Sequence, residues 1–310
     1  MNTRVIRFET GNPLHALIVD VSPDRQRLLV GQQGDAQTQL ALGLWSLPSG
    51  KLEAELIRAQ TVMPNAGRFS PDGRSLAFTD ENQDLTLYDL ASRTFDRQSF
   101  PLRFTKWLSF AGNRNRLVAG GTRTQVFDVA LARVVFTLPV DALAEHASIE
   151  PPGCALSPDG ERLAASGVEP GRIVVYDLTS GDIVRRIEGA MDDARSMTFD
   201  PTGKFLAATA RLGGAGLWNV ETGAALLPEL INMAADYYWR VAFHPDGKHI
   251  GFGLWSGFVE VIAVADGSYA VVQPEEPAHH GRVNDIVFSR DGARMFTVGD
   301  DGAVLIWELT

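Results

Sequence analysis

Six histidines, one cysteine and 38 acidic side chains are the residues of this chain best equipped for chemistry, and their spacing commits none of them to it. A metal centre would need ligands at short intervals, such as H-E-x-x-H or paired C-x-x-C, and neither pattern occurs. His279 and His280 are adjacent, and His244 and His249 are joined by a turn expected on the outer face. His15 and His146 stand apart, so no metal ligand is assigned. No G-x-x-x-x-G-K-[S/T] phosphate loop is present. Cys154 has no second cysteine to pair with, which suits a reducing, cytoplasmic setting, and its place in an apolar strand reads as core. Asp72, Asp159 and Asp246 follow Ser-Pro or His-Pro in turns, where capping of the local backbone accounts for them. The expectation is a protein without catalytic residues, metal or cofactor. A different set offers the chemistry of contact: Tyr237, Trp239 and Trp255, with Arg195, Arg211 and Arg282. Aromatic and Arg side chains are the types most enriched at binding hot spots.

What positions these residues is a repeated turn. Ser22-Pro23-Asp24, Ser70-Pro71-Asp72-Gly73, Ser157-Pro158-Asp159-Gly160, Asp200-Pro201-Thr202-Gly203, His244-Pro245-Asp246-Gly247 and Ser289-Arg290-Asp291-Gly292 punctuate the chain. A weaker copy, Ala111-Gly112-Asn113-Arg114, fills the gap between the second and third, and the turns then recur every 41 to 48 residues. That period is the length of a four-stranded propeller blade. Seven such units need about 312 residues, and the chain has 310. The array fills the chain as a single domain over 1–310, with units near 13–58, 59–102, 103–140, 150–190, 191–230, 236–274 and 279–310.

Within a unit, an apolar first strand runs into the turn, where Pro fixes φ at the second position and Gly takes the fourth. The third strand, clearest as Ala303 to Trp307, is nearly all apolar because sheets on both sides cover it. It recurs as Leu44-Trp45, Leu87-Tyr88, Val126-Phe127, Val175-Tyr176, Leu217-Trp218 and Val261-Ile262. Gly50, Gly181, Gly223 and Gly267 then turn the chain into an outer strand. The last unit stops after its third strand, and Arg4 to Phe8 alternates charged and apolar residues, so residues 3–8 are expected to complete it. The fold class is therefore all-β: a seven-bladed propeller of antiparallel blades, closed by its N-terminal strand.

On these residues the chain resembles the WD-repeat β-propeller family. The resemblance implies a polar tetrad in the final blade, made of His279, Thr297, Asp301 and Trp307, as a buried hydrogen-bond chain of structural purpose. The other blades lack it: Gln39, Asn82, Gly121, Pro170, Leu212 and Ser256 stand where the Asp belongs, and Arg25 replaces the glycine of the first hairpin. The family's usual arrangement puts interblade loops and second-to-third-strand loops on one face, the top. Lys106, Arg195, Tyr237, Trp239, Arg282 and Asn284 then flank the inner strands at its rim, with Arg211 and Trp255 in second-to-third-strand loops. Long connections at 139–152, 227–238 and 273–282 add to that face.

Composition narrows the partner. A net charge of −10 disfavours nucleic acid, and no apolar run approaches the roughly 18 residues of a membrane span, so a soluble protein is expected. Ring closure removes the open edges that would drive self-association, so a monomer is expected, alone or as a subunit of a larger complex. The reading is a non-catalytic scaffold whose rim binds a protein or peptide, acidic with an apolar or aromatic anchor. The alternative is an enzyme or small-molecule sensor using the central channel. The inner strands, with Val19, Gly67, Leu108, Cys154, Met197, Val241 and Ile286, offer mostly apolar residues for that purpose.

Overall fold

Each turn closes its hairpin for a local reason. Ser70 Oγ donates to Asp72 Oδ1 at 2.6 Å and accepts the Ser75 N–H at 3.0 Å, while Asp72 caps the Arg74 N–H. Ser22, Ser157 and Ser289 make the same bond to Asp24, Asp159 and Asp291. Blade five reverses the roles, with the Thr202 hydroxyl donating to Asp200. Arg25 adopts a φ of 60° where the hairpins of blades two and four to seven use glycine, and its guanidinium pairs with Asp291 in the last blade.

The computed structural model of the chain describes residues 3–10, 15–33, 40–58, 64–79, 85–98, 105–112, 116–121, 123–139, 153–168, 171–188, 194–210, 213–227, 236–265 and 276–309. Twenty-six strands among the described residues form seven antiparallel sheets. Five sheets have four strands, and those of blades five and six have three among the described residues, with a Trp218–Ala225 bridge continuing blade five. The inner strands are Ala16–Val21, Ala66–Phe69, Trp107–Phe110, Cys154–Leu156, Ala194–Phe199, Tyr238–Phe243 and Val283–Phe288, and each touches the inner strand on either side, which closes a ring. The strand Thr3–Phe8 pairs antiparallel with Val304–Leu309, from Thr3 opposite Leu309 to Phe8 opposite Val304, and completes the seventh blade. Because strands alternate in direction, the repeated hairpins all lie on one face. The starts of the inner strands and the ends of the second strands lie on the other.

The hydrophobic core is divided into seven clusters, each drawn from two neighbouring blades. One joins Ile18, Leu29 and Leu42 of blade one to Phe69, Leu76 and Phe78 of blade two. Another joins Val19, Leu28 and Trp45 of blade one to Phe296 and Ile306 of blade seven.

This division corrects the expected character of the inner strands. Val19, Leu108, Cys154, Met197, Val241 and Ile286 lie in the interblade cores and do not describe the channel. The side chains that reach the channel include Arg68, Trp107, Arg240 and Asp285, as two contacts between distant blades show. Arg240 of blade six lies 4.7 Å from the ring of Trp107 of blade three, a contact possible only across the axis. Arg68 of blade two binds both oxygens of Asp285 of blade seven, at 3.0 and 3.2 Å.

Candidate interaction face

The rim residues owe their placement to an irregularity shared by consecutive blades. In blades five, six and seven the pairing of inner and second strands skips one residue, between Ala194 and Ser196, Tyr238 and Arg240, and Val283 and Asp285. The extra residues are Arg195, Trp239 and Asn284. A β-bulge breaks the alternation and re-aims the side chain it carries, so these blades, and blade one at Leu17 between Ala16 and Ile18, each turn one side chain out of sequence at the same level.

Trp239 is the centre of the group that results. The Arg195 guanidinium lies 3.6 Å from its ring centroid, that of Arg282 at 5.0 Å and that of Arg240 at 5.5 Å. Trp255, from the loop after the second strand of blade six, meets Trp239 edge-on with centroids 5.0 Å apart and has Arg282 4.7 Å from its ring. Each guanidinium over an indole face contributes about 0.5–1 kcal/mol at an exposed site. Trp239 is half-buried beneath the arginines, whereas Tyr237 and Trp255 are 51% and 47% exposed. Tyr237 leans on Gly213 of blade five, where a β-carbon would come within 2.8 Å of its ring.

Arg282 is held from below by Asp300, with Nε 3.0 Å from Oδ2 and Nη2 3.3 Å from Oδ1. Burial works against the Asp300 charge, but the hydrogen bonds from Arg282 and Asn284 outweigh it and keep the carboxyl below its usual range. Asn284, expected at the rim as a contact, is 4% exposed and spends its amide on Asp300 Oδ1 and the Ala16 carbonyl. It braces blade seven against blade one. Lys106 is exposed beside Trp107. Arg211 falls outside the described residues, as do 140–152, 228–235 and 273–275 of the long connections.

The sequence reading missed Arg240, Trp107 and Asp300, which extend the group toward the channel. It also missed the cluster of Asp20, Arg68 and Asp285. Asp20 accepts the Phe69 and Val21 N–H groups at 2.7 and 2.9 Å. Burial pushes its carboxyl up to about 6 against the pull of Arg68 and those amides. Three charged residues at alternate positions of inner strands were the available signal.

In the final blade, His279, Thr297, Asp301 and Trp307 form one chain of hydrogen bonds. His279 Nδ1 lies 3.0 Å from Asp301 Oδ1, His279 Nε2 2.8 Å from Thr297 Oγ1, and the Trp307 indole donates to the same hydroxyl at 2.9 Å. His279, Thr297 and Trp307 are buried. Burial opposes the Asp301 charge, yet the bond to His279 prevails and brings its carboxyl down to about 2.

Comparison with known proteins agrees with this blade. The family model for the WD domain, G-beta repeat, matches residues 273–308. The WD repeat-containing protein SL1-17 of Schistosoma mansoni is 25% identical over 147 residues, covering 47% of this chain and 47% of that protein. The Periodic tryptophan protein 2 homolog of Dictyostelium discoideum is 22% identical over 202 residues, 64% of this chain and 21% of its own length. Pre-mRNA-processing factor 19 homolog 2 of Arabidopsis thaliana is 30% identical over 117 residues, 38% of this chain and 22% of its own. The matched stretch is less than half the length of each of these relatives.

Proposed function

The chain is a divergent seven-bladed WD-repeat β-propeller, and from that premise we propose that it is a non-catalytic recognition subunit binding a protein segment at its top rim. The observation that carries this reading is the group around Trp239: an indole walled by three guanidinium groups, with Tyr237 and Trp255 presented to solvent beside it. Exposed aromatic rings supply apolar area at low cost in side-chain entropy, and the arginines supply charge. The segment that fits is acidic with an aromatic or large apolar anchor, the anchor on Trp255 and Tyr237 and the carboxylates toward Arg240 and Lys106, with Arg195 buried against Trp239. Relatives whose names place them in pre-mRNA processing are in keeping with work as part of a larger assembly. The lone Cys154, which has no second cysteine to pair with, is what leads us to place the activity in the cytoplasm; no described helix is long and apolar enough to cross a membrane.

A second reading, a small molecule in the channel, draws on the Asp20, Arg68 and Asp285 cluster. Its charges are spent on one another and on backbone groups of blades one and two, which suits a clasp between inner strands better than a receptor for a ligand.

The test is selection of peptides from a random displayed library on the purified protein, followed by titration against Trp255→Ala, Tyr237→Ala and their combination, all matched for melting temperature. Peptides rich in Asp or Glu around an aromatic residue are expected. Their affinity should fall at least about tenfold in the double variant, equivalent to about 1.4 kcal/mol, and decline with added salt. Selected peptides that bind the double variant unchanged would place recognition elsewhere.

A further inference from the structure

The hairpin of blade six differs from its siblings at two positions. In blades one, two, four and seven the first turn residue is serine, whose hydroxyl satisfies the Asp two residues on and accepts the N–H of the residue five on. In blade six the corresponding residues are His244 and His249, so Asp246 lies between two imidazoles. His249 Nδ1 is 2.7 Å from Asp246 Oδ2, and His244 Nδ1 is 3.0 Å from Oδ1. The rings stand at 89° with centroids 5.8 Å apart, and one ligand-capable atom from each of the three residues lies within 4.8 Å of the others. This corrects the expected position of the pair on an outer face: the turn joins an inner strand to the second strand, and His244 is buried against Phe288 of blade seven.

The far side of His244 fixes its tautomer. Nε2 lies 3.0 Å from the carbonyl oxygen of Gly292, which can only accept, so Nε2 carries the hydrogen. Neutral His244 therefore presents the lone pair of Nδ1, which accepts the Asp246 N–H at 3.2 Å, beside the Asp246 carboxylate. An imidazole oriented by a carbonyl on its second nitrogen is also the usual arrangement of a metal-ligating histidine.

We propose that His244, Asp246 and His249 form a binding site for a borderline divalent cation of the zinc class. Two imidazole nitrogens and one carboxylate oxygen suit Zn²⁺, Co²⁺ or Ni²⁺ and are a poor set for Mg²⁺ or Ca²⁺, which prefer oxygen ligands. On binding, the His249 hydrogen moves from Nδ1 to Nε2 and the carboxylate turns one oxygen to the metal. Asp246 is exposed, so a fourth position remains open to water, as in zinc sites with three protein ligands. The site lies on the hairpin face, opposite the aromatic rim, and the Gly292 carbonyl ties it to blade seven. A bound cation would pin those two hairpins together. The occupant that competes for the same space is a proton.

Calorimetric titration of the untagged protein with Zn²⁺, and with Co²⁺ read by visible absorption, decides between them. One ion per chain is expected, with the absorption of a four-coordinate Co²⁺ centre and a rise in melting temperature on saturation. His249→Gln and Asp246→Asn are each expected to weaken binding at least tenfold, whereas His280→Gln leaves it unchanged. The double variant His244→Ser/His249→Arg reproduces the serine and arginine of the blade-seven hairpin, so it is expected to fold and to lose the site. Absence of stoichiometric binding by the parent protein would overturn the proposal. So would equal affinity in the folded double variant.

Discussion

Asp20 and Asp301 are carboxylates that each face a basic side chain, and the protein shifts them in opposite directions. Asp20 is hemmed in where the Arg68 charge is shared with Asp285, so desolvation wins and the folded state holds its proton to about pH 6. A raised carboxyl stabilises the fold most below its unfolded value near 4, and that contribution is lost as pH rises through 6. Asp20→Asn removes it, so the variant should compare less favourably with the parent at pH 4.5 than at pH 7.5, by at most about 3 kcal/mol. Urea unfolding at the two pH values checks this, and an unchanged difference would refute it. Asp301 is lowered to about 2, so its contribution is present above pH 4 and fades as pH falls toward 2. Thr297→Val leaves the Trp307 indole and His279 Nε2 without their shared hydroxyl. It should cost about 1–3 kcal/mol in urea denaturation at pH 7; a variant as stable as the parent would show the tetrad to be dispensable.

Strands and hairpins were legible in the sequence where local chemistry alone decides them. Ser-Pro-Asp-Gly can close a turn without help from the rest of the chain, and the Leu-Trp endings can only be covered strands. The tetrad was legible through the resemblance to the WD-repeat family, whose pattern sets its residues at fixed distances from such landmarks. Bulges were not. Arg195, Trp239 and Asn284 leave the period of two, and nothing in their own identity says that Asn284 turns inward while Trp239 turns to the rim. The channel was misread because successive inner-strand residues, such as Cys154 and Ala155, enter the cores on either side of their blade, and contacts between distant blades decide which side chains reach the axis. The loop that carries Trp255 has its own constraint. Gly257 has a φ of 93°, and a β-carbon there would fall 1.9 Å from the His279 carbonyl oxygen. Gly257→Ala should therefore destabilise the fold by at least about 2 kcal/mol and disturb Trp255, as read by urea denaturation and indole fluorescence. A variant with parental stability would show that this loop yields.

The whole molecule is held by seven interfaces of one kind in a ring, with no central core to which they all report. Opening one interface strips both its neighbours of a supporting surface, so a single cooperative transition is expected. Leu76→Ala, at a fully buried site between blades one and two, should lower that transition by about 2–5 kcal/mol without splitting it. Calorimetry showing two separate transitions would contradict the ring as the cooperative unit. Removal of residues 1–8 takes away the outer strand of blade seven and the Phe8 ring that meets Trp45 edge-on at 5.9 Å. The truncated protein should melt earlier and associate through the bared edge of Val304–Leu309, detectable by size-exclusion chromatography.

The pairing of Thr3–Phe8 with Val304–Leu309 also sets a schedule. Within the propeller, the strand made first is bonded to the strand made last. Until Val304–Leu309 has been made, residues 3–8 have no native neighbour to pair with, and each completed blade waits with one flank bare. The ring becomes resistant to proteases and to stray partners in one step, when its first strand is finally used.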